Sequence, residues 1–131
     1  MTRIADVLNN RRVLSVEAEQ SVLEAARYMT EFNIGAVPVL RSGELVGIFS
    51  ERDIMRRVVS GGRSPAITKV AEVMTPRPLT LSPDDTVEHA RFIMLEHGSR
   101  HLPVVEEKKL TGIVSLRDVL PSASPAQAKA S

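Results

Sequence analysis

The hydrophobic positions of this chain describe the same succession of elements twice. In the first half, an apolar run at 14–16 predicts a short strand, and a Ser-x-x-Glu capping box at 21–24 predicts the start of a helix. The apolar residues of that helix recur at helical spacing: Val22, Ala25, Ala26 and Met29. Two β-type runs, 36–40 and 45–49, follow across a short polar connection and predict a hairpin. A last helix is expected to begin at Ser50.

The second half of the chain repeats these elements in register. A displacement of 65 residues places it on the first half without a gap from Val22 to Asp53. The identical pairs are Val22/Val87, Ala25/Ala90, Met29/Met94, Glu31/Glu96, Pro38/Pro103, Val39/Val104, Leu45/Leu110, Gly47/Gly112, Ile48/Ile113, Ser50/Ser115, Arg52/Arg117 and Asp53/Asp118. A displacement of 66 also places residues 2–8 on 68–74. We therefore predict an α/β (α+β) fold built from two β-α-β-β-α units.

In the second copy these elements are a strand at 79–81, a helix at 85–96, hairpin runs at 101–105 and 110–114, and a helix from Ser115. Neither copy has enough residues to bury two helices and a sheet unaided. We expect the copies to pack sheet to sheet about a pseudo-two-fold axis. Such packing creates two equivalent clefts between the copies, where ligands bind.

The composition narrows the cellular compartment and the classes of binding partner that are expected. The 131 residues are 43% hydrophobic and 25% charged with a net charge of +1, which is typical of a globular protein and gives no basic field for nucleic acid. The absence of cysteine excludes disulfides, thiolate metal sites and cysteine nucleophiles. Residues 1–10 lack a signal-peptide core, and no run reaches the roughly 18 apolar residues of a membrane span. We expect a cytoplasmic protein that binds neither membrane nor nucleic acid.

The chemistry is concentrated where the hairpins end, at 47–53 and 112–118, which share the pattern Gly-x-x-Ser-x-Arg-Asp. A Ser N-cap followed three residues later by Asp is a variant capping box, which stabilises a helix by about 1 kcal/mol. The same residues suit a ligand, because N–H groups at a helix start bind phosphate and a carboxylate accepts hydrogen bonds from a ribose diol. On the residues alone, both interpretations stay open.

These motifs resemble those of the tandem CBS-domain family, named for the regulatory domain of cystathionine β-synthase. The first mark is a Ser or Thr in the first strand of each copy, Ser15 and Thr80. The second is a small-or-polar, apolar, Pro, Val step at 36–39 and 101–104, and the third is the Gly-x-x-Ser-x-x-Asp ending.

The resemblance extends from residue 2 to about residue 120, which we divide into repeats 1–62 and 63–120. The remainder, 121–131, is rich in Ala, Ser and Pro and is predicted to be a disordered tail. The family implies adenosine-containing ligands such as AMP, ADP, ATP, S-adenosylmethionine or NAD. It also implies a homodimer in which two chains form a flat disc.

Carried over by position, the resemblance assigns the ribose hydroxyls to Asp53 and Asp118, with Ser50 and Ser115 at phosphate or ribose. The residues it places around the adenine and the adjoining strand are Ser15, Ile34, Gly35, Ala36, Val37, Pro38, Thr80, Ser99, Arg100, His101, Leu102 and Pro103. The phosphate candidates are Arg52, Arg100 and Arg117.

Both copies keep the aspartate, so the chain is expected to have two competent sites. Their clefts are expected to differ, because Gly35-Ala36 is small where Arg100-His101 is large and polar. The second cleft would then hold phosphate more firmly or be partly closed. We expect Asp53→Ala and Asp118→Ala to weaken nucleotide binding and to leave the fold intact.

The leading interpretation is a stand-alone regulatory module that senses energy or redox state through an adenine nucleotide and acts on an unidentified regulated protein. The alternative is a structural dimerisation or docking module whose Ser and Asp residues only cap helices. An enzyme such as a nucleotide hydrolase is disfavoured, because no catalytic base or metal-binding carboxylate cluster is visible. No metal site is expected either, since His89, His97 and His101 lack metal-ligand spacing.

Overall fold

The computed structural model describes residues 1–121, so the predicted tail at 121–131 lies outside the described residues except for Pro121. The elements in chain order are α1 (Ile4–Leu8), β1 (Val16–Glu17), α2 (Val22–Glu31), β2 (Ala36–Arg41), β3 (Glu44–Ser50), α3 (Glu51–Asp53) with its π-helical continuation (Ile54–Val59), α4 (Val70–Val73), β4 (Thr75–Pro76), α5 (Val87–His97), β5 (His101–Glu106), β6 (Lys109–Ser115) and α6 (Leu116–Val119).

The predicted hairpins are present in both copies and share one register. β2 pairs antiparallel with β3 and β5 with β6, so that Ala36 lies opposite Ser50 and His101 opposite Ser115. β1 joins the first hairpin in parallel, and β4, which follows α4, joins its other edge. The predicted strand at 79–81 is wrong in extent, because Leu81 makes only an isolated parallel bridge to Val104.

Hydroxyl side chains cap the N-termini of the predicted helices. At the start of α2, Ser21 Oγ accepts a hydrogen bond from Glu24 N (3.0 Å), and Glu24 Oε1 accepts one from Ser21 N (3.1 Å). Ser50 and Ser115 are the N-caps of α3 and α6, as expected. Each hairpin therefore leads directly into a helix start, which holds the Ser-x-x-Asp segment at the end of a strand.

Each of the two hydrophobic cores contains residues from both sides of the repeat boundary between residues 62 and 63. Ile4 of α1 is fully buried in the core of the second copy, whose other members are Leu81, Ala90, Met94, Leu102, Val104, Val114 and Val119. Val70 and Val73 of α4 are buried in the core of the first copy. Each copy is therefore completed by a helix from the other. Strands β3 and β6 contact each other between the two cores, which places the sheets together as predicted.

Two glycines at equivalent positions of the repeat allow each copy to accept the helix of the other. A Cβ on Gly47 would lie 2.5 Å from Met74 Sδ and 2.8 Å from the backbone oxygen of Thr75, directly after α4. A Cβ on Gly112 would lie 2.9 Å from Leu8 Cδ2, at the end of α1. The glycine that opens each Gly-x-x-Ser-x-x-Asp segment thus makes room for the helix donated by the other copy.

Replacing Gly47 by alanine is expected to lower the free energy of unfolding by about 1–3 kcal/mol, because the rigid Thr75 backbone cannot move away from the added methyl group. Urea denaturation measures the change. Gly35→Ala is the matched control, since the atoms nearest its Cβ would be those of the carboxyl group at the end of the exposed, flexible Glu51 side chain, the closest at 3.3 Å. Equal stability losses for the two variants would contradict this account.

Candidate ligand-binding clefts

The first Ser-x-x-Asp segment holds a buried carboxylate. Asp53 is only 6% exposed, and its Oδ2 accepts hydrogen bonds from Ser50 N (2.9 Å) and Ser50 Oγ (3.1 Å). Its Oδ1 has longer contacts, with Thr75 Oγ1 at 3.3 Å and Arg57 Nε at 3.9 Å. Of the two oxygens, Oδ1 therefore has the longer contacts with its partners.

The second segment holds a carboxylate that is paired with an arginine. Asp118 Oδ2 accepts hydrogen bonds from Ser115 N (2.7 Å) and Arg11 Nη1 (3.1 Å), and Oδ1 accepts one from Arg11 Nη2 (2.8 Å). Burial alone would raise the pKa of Asp118, but the hydrogen bonds from Arg11 and Ser115 lower it below its ordinary value. The hydrogen bond to Asp118 likewise raises the pKa of Arg11.

Each carboxylate lies in a cleft between the copies. Cleft 1 has a volume of about 410 Å³ and is lined by Gly35, Ala36, Ile48, Ser50, Glu51, Arg52, Asp53, Thr75, Pro76, Arg77, Pro78, Leu79, Gly98, Ser99, Arg100, His101 and Leu102. Cleft 2 has a volume of about 440 Å³ and is lined by Arg11, Asn33, Ile34, Gly35, Ala36, Arg100, His101, Ile113, Ser115, Leu116, Arg117 and Asp118. In both clefts the aspartate comes from one copy and the facing segment from the other.

A smaller apolar chamber adjoins cleft 2. It has a volume of about 140 Å³ and is lined by Leu8, Arg11, Arg12, Leu14, Ile34, Ala36, Pro38, Gly112 and Ile113. Four of these residues also line cleft 2, namely Arg11, Ile34, Ala36 and Ile113. An apolar space and a carboxylate therefore lie side by side, an arrangement that suits a ligand with one flat apolar end and one polar end.

The model of the CBS domain matches this chain twice, at residues 4–60 and 70–123. The chain belongs to the CBS-domain family. The resemblance stated from the sequence is thereby confirmed, and the two clefts are those of a CBS pair.

Proteins similar to this CBS pair include one that was solved with bound adenosine compounds. The CBS domain-containing protein CBSX3, mitochondrial, of Arabidopsis thaliana is 35% identical over 130 residues, covering 91% of this chain but only 63% of that protein. The solved CBS-domain containing protein ATU1752 from Agrobacterium tumefaciens is 34% identical, with a TM-score of 0.82 and coverage of 90% of this chain and 96% of that one. The CBS domain pair of protein MJ0100, solved with 5′-methylthioadenosine and S-adenosyl-L-methionine, is 26% identical, with a TM-score of 0.81 and coverage of 91% and 93%.

The structure brings most of the predicted site residues of the CBS pair to the clefts. Cleft 1 contains Gly35, Ala36, Ser50, Arg52, Asp53, Ser99, Arg100, His101 and Leu102, and cleft 2 contains Ile34, Gly35, Ala36, Arg100, His101, Ser115, Arg117 and Asp118. Pro38 lines the apolar chamber. Ser15, Val37, Thr80 and Pro103 line neither cleft nor the chamber, and Val37 is fully buried in the first core. Their roles stay predictions.

The two clefts differ, but at other residues than the sequence predicts. Gly35, Ala36, Arg100 and His101 line both clefts, so the contrast between these pairs does not distinguish one cleft from the other. The clefts differ instead at the carboxylate. Asp118 is held by a bidentate arginine, whereas the contacts of Asp53 Oδ1 with Thr75 and Arg57 are longer.

Sequence reasoning missed Arg11, Arg77, Glu51 and Thr75, all of which line a cleft. Arg11 hydrogen bonds to Asp118 and lines cleft 2. A signal was present in the repeat, because the displacement of 66 that aligns the lead-in segments places Arg11 on Arg77. Each copy thus contributes one such arginine to the cleft that contains the other copy's aspartate.

His101 lies in the wall between the clefts and has a lowered pKa. Burial is the main cause, and Arg100 adds to it, while Asp118 and Glu51 oppose the shift. The folded chain therefore favours the neutral imidazole more strongly than the unfolded chain does.

As the pH falls below about 6.5, the unfolded state takes up a proton on His101 before the folded state does, so the free energy of unfolding is expected to fall. The stability contributed by neutral His101 is fully present above that pH. His101→Gln should reduce this pH dependence, as measured by urea denaturation at about pH 7.5 and about pH 5.5. His97→Gln is the control, because His97 is exposed at the end of α5. An unchanged pH slope in His101→Gln would refute the assignment.

Over residues 1–121, no group of three or more His, Asp or Glu side chains is placed to hold a metal ion. In the same part of the chain, no helix is both long and apolar enough to cross a membrane.

Proposed function

We propose that this CBS pair is a regulatory module that binds an adenosine-containing ligand in its clefts. Occupancy would change its shape or its contacts with a regulated protein. A ligand shifts such an equilibrium only through a difference in its affinity for two states, and a ligand that bridges the two copies supplies that difference. The observation that carries the proposal is the duplicated cleft itself, in which an aspartate of one copy faces an arginine-bearing segment of the other.

The polar groups of each cleft suit a ribose phosphate. Each cleft contains three arginines, which are Arg52, Arg77 and Arg100 in cleft 1 and Arg11, Arg100 and Arg117 in cleft 2. Guanidinium groups bind phosphate oxygens through two parallel hydrogen bonds, and a carboxylate accepts hydrogen bonds from both hydroxyls of a diol. The aspartate in each cleft would therefore hold the ribose while the arginines hold the phosphate.

The apolar groups in and beside the clefts suit the adenine base of the proposed ligand. The chamber beside cleft 2 is bordered by Leu14, Ile34 and Pro38, and cleft 1 has Ile48, Pro78 and Leu79 in its lining. Flat apolar walls next to exposed backbone groups are what a purine ring requires. The adenosine ligands of the MJ0100 pair support the same chemistry at this fold. We propose AMP, ADP, ATP or NAD as the ligand, which makes the module a sensor of energy or redox state.

The proposal also includes a homodimer and a regulatory rather than a catalytic role. Large apolar side chains are exposed on the continuation of α3 and on α5, namely Met55, Val59, Phe92 and Leu95, each more than half exposed. Exposed apolar patches of this kind mark protein contacts, and we propose that a homodimer covers them. The described relatives CBSX3 and ATU1752 are named for their CBS domains alone, which supports regulation rather than catalysis.

A thermal-shift assay with adenosine, AMP, ADP, ATP and NAD at millimolar concentration tests the proposal. A ligand that binds the native state raises the midpoint of unfolding by several degrees once its concentration is well above its Kd. Guanosine is the matched control for adenosine and GMP for AMP, since each pair differs only in the base. The absence of a shift with any adenine compound would reject the proposal.

The alternative function is a docking module without a ligand. It is favoured by one observation, namely that Ser50 with Asp53 and Ser115 with Asp118 form complete capping boxes. Under that alternative, loss of either aspartate lowers helix stability and no adenine compound shifts the unfolding midpoint. The same thermal-shift panel therefore separates the two functions.

A further inference from the structure

The pairing of Arg11 with Asp118 bears on which ligands cleft 2 accepts. Both oxygens of Asp118 accept hydrogen bonds from this guanidinium, at 2.8 and 3.1 Å, and both residues line the cleft. Oδ2 is also occupied by Ser115 N, at 2.7 Å. A ribose diol that hydrogen bonds to both oxygens of this carboxylate therefore competes with Arg11 for them.

Arg11 can be displaced without disturbing the core. Its side chain is 45% exposed, and among the side chains of residues 1–121 its guanidinium hydrogen bonds only to Asp118. Water screens the exposed guanidinium, which limits the stabilisation that its pairing with Asp118 provides. A phosphate in the cleft offers the guanidinium a second bidentate partner within reach of its own side chain.

We propose that Arg11 is the specificity-determining residue of cleft 2, which exchanges Asp118 for a ligand phosphate and so selects phosphorylated adenosine ligands over neutral adenosine. A neutral nucleoside that hydrogen bonds to Asp118 must break the ion pair between Arg11 and Asp118, and it has no phosphate to which Arg11 could bind instead. A nucleotide frees Asp118 for its ribose and pairs Arg11 with its phosphate in the same step. Cleft 1 lacks such a bidentate pair, because among residues 1–121 the partners of Asp53 Oδ1 are Thr75 Oγ1 at 3.3 Å and Arg57 Nε at 3.9 Å. This inference rests on the proposed function and adds a ligand class to one of its two sites.

Methyl NMR separates the clefts. Ile113 and Leu116 report on cleft 2, and Ile48 and Leu79 report on cleft 1. Titrations of the wild-type chain and of Arg11→Ala with adenosine and with AMP give an affinity for each cleft.

We expect opposite changes at cleft 2. In Arg11→Ala, adenosine should bind about two- to fivefold more tightly, because Arg11 no longer competes with the ribose for Asp118. AMP should bind about tenfold more weakly, because the phosphate loses a charge-assisted partner. Affinities at cleft 1 should not change. Arg27→Ala, which removes an exposed arginine of α2 outside both clefts, should leave all four affinities as they are.

Two results would overturn the inference and are distinguishable. If Arg11→Ala weakens or leaves unchanged the binding of both ligands at cleft 2, Arg11 does not select for phosphate, while the proposed function stands. If neither ligand perturbs the methyl groups of either cleft in the wild-type chain, the proposed function fails together with the inference.

Discussion

Replacing Ile4 by alanine is expected to lower the free energy of unfolding by about 2–5 kcal/mol, which is the range for removing a fully buried Ile or Leu side chain. Ile4 is 0% exposed and lies among residues of the second copy, although it is the fourth residue of the chain. The substitution leaves a cavity beneath α5 and the second hairpin, and the surrounding strands can close it only in part. Equilibrium denaturation in urea measures the loss.

Ile67 provides the matched control for this prediction, because it is the same residue type and is 81% exposed. Ile67→Ala is expected to change the free energy of unfolding by less than about 0.5 kcal/mol. Hydrogen exchange adds a local readout, since Ile4→Ala should reduce protection in β5 and β6 more than in β2 and β3. A stability loss for Ile4→Ala as small as that for Ile67→Ala would show that α1 does not complete the second core.

Asp53 is expected to have two separable roles, and two substitutions distinguish them. Asp53→Ala removes the acceptor for Ser50 N in a buried position and should lower the free energy of unfolding by about 1–3 kcal/mol. Asp53→Asn keeps an acceptor of the same size and should retain most of that stability. Both variants should weaken binding of AMP at cleft 1 by about 10- to 100-fold, because the ribose hydroxyls lose a charged acceptor.

Denaturation gives the stability of these variants, and calorimetry with AMP gives their affinity. Asp84→Asn is the control for loss of one carboxylate, because Asp84 is exposed and lines neither cleft. The sequence leads to the expectation that Asp53→Ala leaves the fold intact, and the burial of Asp53 with hydrogen bonds at both oxygens adds a loss of stability to that expectation. Undiminished affinity in Asp53→Asn would show that this aspartate only caps α3.

Local features of the fold could be predicted because they depend on neighbouring residues. The apolar alternation and the short polar connections determine both hairpins, and hydroxyl caps determine where α2, α3 and α6 begin. The duplication then places two Ser-x-x-Asp segments in equivalent positions. For the same reason, the aspartates and arginines within those segments were found without a structure.

The remaining features depend on which copy each segment packs against, and residue spacing does not contain that information. The duplicated lead-in segments at 2–8 and 68–74 were recognised, but nothing local shows that each one packs into the other copy's core. Arg11 and Arg77 reach the clefts through this exchange, so they were missed as site residues. The run at 79–81 has the composition of a strand, yet it forms a single bridge there.

The central claim is that the two clefts hold an adenosine-containing ligand through Asp53 and Asp118. A crystal structure of the chain grown with saturating AMP tests it most directly. We expect the nucleotide in at least cleft 1, with a ribose hydroxyl at about 2.5–3.0 Å from Asp53 Oδ1 and the phosphate against an arginine of that cleft. Both clefts without nucleotide at saturation, or AMP bound with its ribose away from either aspartate, would contradict the account.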